Sequence, residues 1–408
     1  MSSTQGDWRT LPIAVIASPQ LGGNYKNGPE PSSRPLIKMG NIARVNIDLS
    51  RLDYVPDSEQ VSEQHRLKYG DILFNTRNTL DLVGKVSIWR NELPRAYYNS
   101  NILRLEFRPE YCGDSQYFGY ALNARTAIEE IRALATGTTS VAAVYTRDLL
   151  KLEVPVPSKP EQHAIAMTLL DADNFIVALE GLIAKKQAIK QGLLQQLLTG
   201  RTRLPGFTEL WREVRLGDHA SMSSGGTPPS DVARYYDGGI PWVSISDMTR
   251  AGRFVRTTEK TLSSAGVNHS AAKIYPDGVV LYAMYASLGE CAIAVGRVSS
   301  SQAILGIVPG REVNRDFLYY SLAAMKNKVR EMGQQGTQSN LNAGMVRGFR
   351  ILLPQFKEQE AIAIILSDAD DELDLLGVRL DKARAMRTGM MQQLLTGRTR
   401  LPVQQATG

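Results

Sequence analysis

The chain has 408 residues, a formal net charge of +6 and a composition that is 43% hydrophobic, 22% charged and 7% aromatic. This length exceeds what one hydrophobic core usually organises, so we expect at least two domains, and the composition excludes a disordered or collagen-like chain. No apolar run is long enough for a membrane span, no signal-peptide pattern opens the sequence, and the two cysteines and four histidines lie far apart. We therefore expect a cytoplasmic protein without disulfides or a structural metal site.

Residues 1–156 are predicted to form a first globular domain of the α+β class. Short β-rich stretches such as Asp71-Ile-Leu-Phe and Val86-Ser-Ile-Trp are separated by turn signals. A helical stretch from Ser115 to Ala135 follows, and a Gly-Thr-rich loop and one more strand come after it.

Three short loops of this domain carry polar side chains that are candidates for nucleic-acid contacts. Arginine suits guanine, asparagine suits adenine, and hydroxyl groups bind base edges or phosphates. The excess of basic residues favours a polyanionic partner without requiring one, and solvated loops remain the alternative for each residue. The candidates are Lys38, Asn41 and Arg44 in the first loop, Asn75, Arg77 and Asn78 in the second, and Thr138, Thr139 and Ser140 in the third.

Residues 157–206 are predicted to be a long spacer helix. The segment from Pro160 to Thr199 has no internal proline, and Gly200 and Pro205 form a stop signal after it. Apolar residues recur at alternating steps of four and three, which predicts a coiled-coil seam. The seam residues are Ile165, Leu169, Ala172, Ile176, Leu179 and Ile183.

Residues 207–353 are predicted to form a second α+β domain. Its strands include Trp242-Val-Ser-Ile and Val279-Val-Leu-Tyr, and a helical stretch runs from Arg315 to Met332. Its loops hold polar residues comparable to those of the first domain, with the same candidate role in DNA contacts. These are Ser224, Thr227, Ser244, Asp247, Lys273, Ser287, Gln334, Gln335, Gln338 and Asn340.

Residues 354–408 are predicted to be a second spacer helix with a C-terminal tail, and they reveal an internal duplication. The string QQLLTGRTRLP occurs at 195–205 and again at 392–402, a displacement of 197 residues. A domain and its connector are therefore repeated in tandem. The second seam consists of Ile362, Leu366, Ala369, Leu373, Leu376 and Leu380.

The two helices are predicted to pair antiparallel with each other. A helix of about 40 residues is roughly 60 Å long, and its apolar stripe needs a partner. Acidic residues crowd the first half of each copy and basic residues the second half, so only an antiparallel pair opposes unlike charges. The alternative explanation of this charge distribution is the general preference of acidic residues for helix N-termini and of basic residues for C-termini. Gly192 and Gly389 occupy the same site in both helices, where a close helix approach, a kink or a partner contact would each explain a glycine.

The chain has no recognisable catalytic motif. A phosphate-binding GxxxxGK[ST] loop is missing, and Thr227-Pro-Pro-Ser lacks the acid and the aromatic residue of an amino-methyltransferase motif. Two similar DNA-reading domains held a fixed distance apart by a rigid spacer would suit a DNA target that consists of two half-sites. The alternatives are an enzyme with unfamiliar motifs and a duplicated scaffold that binds only protein.

The sequence resembles the DNA specificity subunit of type I restriction-modification systems over essentially its whole length. The residues that carry the resemblance are Ser224-Gly-Gly-Thr-Pro-Pro, Gly239-Ile-Pro-Trp-Val-Ser-Ile-Ser-Asp247, Gly278 to Gly289, Gln302-Ala-Ile, and the two tracts from Pro-x-x-x-Glu-Gln to Gln-Gln-Leu-Leu-Thr-Gly.

This resemblance implies a non-catalytic DNA-binding subunit with two target recognition domains, each reading one half of an asymmetric bipartite sequence, and a helix pair that spaces them. It implies that two modification subunits and the restriction subunits are partners, and that they bind the S-adenosylmethionine, ATP and Mg, so that this chain holds no cofactor. The family often has arginine where Tyr285 stands, as at Arg77, so Tyr285 either contacts DNA or packs. The arginines after the helices, Arg201, Arg203, Arg398 and Arg400, either bind a partner or neutralise helix carbonyls.

Overall fold

The structure is a computed structural model and describes residues 8–335 and 340–402. These residues divide into two units, Met1–Glu180 with Val378–Gly408, and Gly181–Gly377. The first unit is therefore discontinuous in sequence, whereas the second is one continuous stretch.

The described residues of the first unit form four small sheets, four complete helices, parts of two long helices, and two 3-10 turns at Met39–Asn41 and Glu63–His65. Its strands are β1 (Arg9–Pro12), β2 (Ala17–Leu21), β3 (Pro35–Ile37), β4 (Asp53–Tyr54), β5 (Ile72–Asn75), β6 (Arg77–Asn78), β7 (Val86–Ile88), β8 (Tyr97–Tyr98), β9 (Ile102–Phe107), β10 (Thr136–Gly137), β11 (Ala142–Ala143) and β12 (Glu153–Val156). Its helices are α1 (Ile13–Ile16), α2 (Ser115–Ala121), α3 (Arg125–Ala133), α4 (Thr146–Leu149), the beginning of α5 (Lys159–Leu197) and the end of α12 (Phe356–Leu394).

The sheets of the first unit are ordered β1-β12, β2-β9-β5-β7, β4-β3-β8 and β10-β11-β6. The pairings are antiparallel except that β3 runs parallel to β8. The four-stranded sheet packs with α2 and the start of α5 around a core that includes Phe74, Tyr117 and Phe118.

The second unit repeats this arrangement. Its strands are β13 (Arg212–Arg215), β14 (Ala220–Ser224), β15 (Tyr236–Val243), β16 (Phe254–Val255), β17 (Lys260–Leu262), β18 (Val280–Ala283), β19 (Cys291–Ala294), β20 (Ser299–Ser300), β21 (Ile304–Pro309) and β22 (Arg350–Leu353). Its helices are the end of α5, α6 (Leu216–His219), α7 (Ile245–Ala251), α8 (Ser264–Asn268), α9 (Arg315–Ala324), α10 (Lys326–Gln335), α11 (Ala343–Arg347) and the beginning of α12 (Phe356–Leu394), and a 3-10 turn lies at Ala233–Tyr235.

The sheet order of the second unit mirrors that of the first. Its sheets are β13-β22, β14-β21-β18-β19-β16 and β17-β15-β20, and the parallel pair β3-β8 is matched by β15-β20. This mixture of small sheets with terminal helices in both copies confirms the predicted α+β class and the internal repeat.

The antiparallel pairing of the long helices is confirmed within each unit. In the first unit Asp173 pairs with Arg387, and Glu180 pairs with Arg384, at 2.8 and 2.6 Å. In the second unit Lys186 pairs with Glu372 at 2.7 Å, and Lys190 pairs with Asp370. In both units, later residues of α5 pair with earlier residues of α12, as an antiparallel pair requires. All predicted seam residues are buried or half-buried.

Both long helices end where the sequence predicts a stop. Gly200 and Gly397 have φ of +67° and +70°, a conformation that glycine adopts without strain. Gly192 and Gly389, by contrast, lie inside α5 and α12, and a Cβ added to either would meet open space. A close helix approach is therefore not the reason for these two glycines.

Three predicted elements differ from the structure. The expected strand Trp242-Val-Ser-Ile stops at Val243, because Ser244 caps α7 and Ile245 is already helical. The single helical stretch expected from Ser115 to Ala135 is two helices, α2 and α3, with residues 122–124 between them. The single stretch expected from Arg315 to Met332 is likewise two helices, α9 and α10, with Met325 between them.

Candidate nucleic-acid interface

Two of the three predicted loops of the first domain meet in one small sheet. Strand β6 carries Arg77 and Asn78 and pairs with β11, which in turn pairs with β10. The turn between β10 and β11 contains Thr138 and Thr139, and the backbone amide of Leu80 donates to the carbonyl of Thr139 at 3.1 Å. Arg77 and both threonines are exposed. We call this the Arg77 surface.

The Arg77 surface continues into residues that the sequence analysis missed. Tyr145 is 51% exposed, and the guanidinium of Arg147 lies 5.7 Å from the centre of its ring. A cavity of about 310 Å³ beside them is lined by Arg77, Asn101 and Tyr145, among others. An exposed ring next to guanidinium groups can stack on a base or sugar. The signal in the sequence was Tyr145-Thr-Arg147 directly after the Thr-rich loop.

Several predicted contact residues of the first domain use their side chains internally. Asn41 is buried, and its amide nitrogen donates to the carbonyls of Asp48 and Arg51 at 2.8 and 2.7 Å. Asn75 is fully buried, and its side-chain oxygen accepts from the amide of Arg77 at 3.3 Å. These two asparagines shape the loops and are not presented to solvent.

The remaining candidates of the first domain are half-buried. The side-chain oxygen of Asn78 accepts from the amide of Thr79 at 2.8 Å. Lys38 donates to Asp53 at 2.6 Å and to Asn27 at 3.0 Å. Arg44 lies away from the Arg77 surface, beside a separate cavity of the first unit.

The second unit places Tyr285 where the first has Arg77. In the first unit the amide of Thr76 donates to Asn101, and Thr76 accepts from Val144. In the second unit Met284 makes the same two backbone bonds, donating to Ala303 and accepting from Leu341. The residue after Thr76 is Arg77, and the residue after Met284 is Tyr285, which is 38% exposed.

Ser244 and Asp247 form a helix cap in the second unit. The hydroxyl of Ser244 accepts from the amide of Asp247 at 3.2 Å, and the carboxylate of Asp247 accepts from the amide of Ser244 at 2.9 Å. Burial raises the pKa of Asp247, but hydrogen bonds from Ser244 and Glu259 and the charge of Arg250 outweigh it, so this pKa lies below its ordinary value. Asp247 is 1% exposed and therefore stabilises α7.

The other predicted residues of the second domain are spread over its surface. Thr227, Lys273 and Asn340 are exposed, whereas Ser224 and Ser287 are half-buried. Gln335 is the last residue of α10. The side chains of Gln334 and Gln335 are not among those that the structure describes, and Gln338 lies outside the described residues.

The arginines that follow the long helices have different environments. Arg203 donates twice to the fully buried carboxylate of Glu358, at 2.7 and 2.9 Å, and the indole of Trp211 donates to the same carboxylate at 3.0 Å. In the first unit Arg400, Glu161 and Trp8 form the same arrangement. We call each a Trp–Glu–Arg cluster. Arg201 and Arg398 are exposed.

The Glu-Gln pair that is repeated at the start of each long helix thus has a structural explanation. Gln162 and Gln359 are fully buried next to the clusters. Gln162 accepts from the amide of Gly113 at 2.8 Å, and Gln359 accepts from the amide of Asn314 at 2.7 Å. Gln162 therefore holds α5 to the loop before α2, and Gln359 holds α12 to the loop before α9.

The described residues offer little to bind a metal or to act as a nucleophile. Residues 8–335 and 340–402 contain no group of three or more potential metal ligands. Both cysteines are unpaired, and burial raises the pKa of Cys112 to about 11 and that of Cys291 well above its ordinary value. Within the same residues, no helix is long and apolar enough to cross a bilayer.

The chain matches the model of the type I restriction modification DNA specificity domain twice, over residues 23–191 and 208–382. It belongs to this family. The chain is thus a type I restriction-modification DNA specificity protein, a class that recognises DNA and is not itself catalytic.

Curated relatives agree with this assignment. A Methanocaldococcus jannaschii protein described as a type I restriction enzyme MjaX specificity subunit is 25% identical over 97% of this chain and 94% of its own length. The MjaVIII specificity subunit of the same organism is 21% identical over 74% of each chain. The HindI specificity subunit of Haemophilus influenzae is 26% identical over 35% of this chain and 32% of its own.

Solved structures share the fold. The type I restriction-modification S subunit from M. genitalium matches 96% of this chain and 97% of its own with a TM-score of 0.63 at 18% identity. A chain from a structure of type I R-M complex assembly and conformational transition matches 95% of this chain and 97% of its own with a TM-score of 0.59 at 16% identity.

Proposed function

We propose that this specificity protein reads an asymmetric DNA sequence in two parts, one with each recognition domain, and scaffolds modification and restriction subunits. The observation that carries the proposal is the repeated surface position at which one copy has Arg77 and the other Tyr285. An arginine can donate two hydrogen bonds to guanine, whereas a tyrosine offers a single hydroxyl and a ring. Two copies of one framework with different reading residues favour two different half-sites.

In the first domain, the proposed DNA-facing set is drawn from the Arg77 surface. Arg77, Thr138 and Thr139 are exposed, and Tyr145 with Arg147 adds an aromatic face beside positive charge. In the second domain, the proposed set is Thr227, Lys273, Tyr285 and Asn340, which are all exposed. The net charge of +6 is modest for a protein that binds DNA alone, which favours partners that share the phosphate contacts.

The division of labour along the chain is part of the proposal. Residues 1–156 and 207–353 are the recognition domains, and residues 157–206 and 354–408 are the spacer helices with the tail. S-adenosylmethionine, ATP and Mg belong to the partner subunits, since this chain has none of the motifs that would hold them. The helices α5 and α12 have 39 residues each, which corresponds to about 58 Å of helix and makes them suited to set a spacing.

The spacing role can be tested by lengthening both helices. The boundary between the two units crosses α5 between Glu180 and Gly181 and crosses α12 between Gly377 and Val378. An insertion at both points therefore leaves the ion pairs inside each unit intact. One inserted heptad keeps the seam in phase and adds about 10.5 Å, or roughly three base pairs at 3.4 Å each.

We expect adenine methylation, mapped by single-molecule sequencing in cells that carry the variant and its modification subunit, to move to a target with an unread gap about three base pairs longer. The matched control inserts the heptad in α5 only, which shifts the seam register, and should abolish methylation. An unchanged gap in the double insertion would contradict the spacing role.

The reading role of the Arg77 surface can be tested separately. Arg77→Gln should relax the preference at one base pair of one half-site by about 1–3 kcal/mol, or roughly fivefold to more than a hundredfold, and leave the other half-site unchanged. Arg212→Gln removes the same charge from an exposed strand of the second unit and serves as the control. A uniform loss of affinity for all sequences would show that Arg77 contacts only phosphate.

A further inference from the structure

A cavity of about 600 Å³ lies inside the first unit, away from the Arg77 surface. It is bounded by residues 44–45, by the first turns of α3 and by the last turns of α12, all of which belong to the first unit. Its volume is typical of a pocket for a small molecule. Five arginines line it: Arg44, Arg125, Arg132, Arg387 and Arg398.

Two of these arginines are neutralised inside the unit and three are not. Arg387 pairs with Asp173 at 2.8 Å, and Arg125 pairs with Glu129 at 3.0 Å. Among residues 8–335 and 340–402, no carboxylate lies within ion-pair distance of Arg44, Arg132 or Arg398. The cavity therefore holds an excess of about three positive charges.

Arg44 has the environment expected of an anion-binding residue. Its Nη1 atom is shielded from solvent and has no hydrogen-bond partner among the described residues. Burial and the nearby charge of Arg132 lower its pKa below the ordinary arginine value. A buried guanidinium nitrogen without an acceptor destabilises the folded protein, so an anion that supplied one at this cavity would be bound favourably.

We propose that this cavity binds the terminal phosphate of a small phosphorylated molecule of mononucleotide size. A phosphate monoester carries close to two negative charges at pH 7 and matches the excess charge better than a carboxylate or a DNA phosphodiester, which carry one. Arginine forks bind phosphate through two parallel hydrogen bonds. Val45, Ile128 and Met391 provide an apolar wall for the organic part of the ligand.

The test uses the full-length chain and AMP, with adenosine as the probe that lacks the phosphate. Thermal unfolding and calorimetric titration are run at constant ionic strength, because bulk salt also screens clustered charges. AMP should raise the melting temperature and bind saturably, whereas adenosine should do neither. No difference between AMP and adenosine would overturn the proposal.

Three variants locate the site. Arg44→Gln and Arg398→Gln should each weaken AMP binding at least tenfold. Arg44→Gln should leave the melting temperature of the unliganded protein unchanged or higher, because Nη1 loses no partner. Arg201→Gln is the matched control, since it removes the same residue 197 positions earlier in the repeat, in the second unit. An equal loss of AMP binding in Arg201→Gln would contradict the assignment.

A competition experiment with DNA distinguishes a free phosphate monoester from a DNA backbone phosphate as the ligand of the cavity. A duplex without terminal phosphates should not compete with AMP, and Arg398→Gln should bind that duplex like the unaltered chain. Displacement of AMP by this duplex, together with weaker duplex binding by Arg398→Gln, would show that the cavity is part of the DNA interface instead. If Arg44→Gln fails to fold, the exposed Arg398 provides the same test.

Discussion

Replacing Arg203 by methionine would remove one partner of the Trp–Glu–Arg cluster in the second unit. The Glu358 side chain is fully buried and that of Arg203 is 28% exposed, and two hydrogen bonds join them. Removing one partner of a buried ion pair costs about 3–5 kcal/mol, because the other charge is left uncompensated. The partial exposure of Arg203 places the expected loss near the lower end, at about 3 kcal/mol.

The double variant Arg203→Met with Glu358→Leu should recover most of this loss. Apolar residues of similar volume often replace a buried ion pair at little cost, so we expect a net loss of about 1 kcal/mol, mainly from the indole of Trp211, which then lacks its acceptor. The coupling between the two sites should be about 2 kcal/mol or more.

Hydrogen exchange measured by mass spectrometry suits this test, because a chain with two units does not guarantee two-state unfolding. Peptides at the start of α12 should exchange faster in Arg203→Met and recover in the double variant. Arg201→Met, which changes an exposed arginine two residues earlier, should have no effect. Losses that simply add in the double variant would refute the reasoning, because they would show that the two side chains stabilise the fold independently.

Two further predictions concern the helices. Gly192→Ala and Gly389→Ala should each raise the stability of the isolated chain by about 1 kcal/mol, because the added methyl group meets open space and the backbone is helical; a lower melting temperature for either variant would contradict this. Asp247→Asn should lower stability at pH 7 by about 1–3 kcal/mol. Since the folded-state pKa of Asp247 lies below its ordinary value near 4, its contribution is present above about pH 4 and is lost as the pH falls further. In urea unfolding, the difference in unfolding free energy between the unaltered chain and Asp247→Asn should therefore be smaller at pH 3 than at pH 7. An equal difference at both pH values would exclude the charged cap as its source.

The long helices and the repeat could be predicted because their signals are local or repeated in the sequence. Apolar residues at steps of four and three and an identical eleven-residue string need no knowledge of distant contacts. Even the antiparallel direction followed from the unequal charge of the helix halves, and the ion pairs Asp173–Arg387 and Lys186–Glu372 have that sense.

The candidate contact residues were harder to predict, because side-chain type does not report what the side chain binds. Asn41, Asn75 and Asp247 have the chemistry of base-reading residues, but their own backbone neighbours satisfy them. The partner of Arg400 is Glu161, 239 residues earlier, and nothing in either local sequence indicates that distance. Asn75 is buried and Arg77 is exposed because β5 lies between β9 and β7 in the four-stranded sheet, whereas β6 is the edge strand of the small sheet beside β11.

The discontinuity of the first unit has a consequence for how the chain is made. Residues 181–377 leave the ribosome as one uninterrupted stretch and include both Arg203 and Glu358. The first unit lacks Met391, Leu394 and Arg400 until the whole second unit has been translated. Until then, the apolar core residues of the first domain that pack against Met391 and Leu394 lack these partners, which favours aggregation of the nascent chain at this domain.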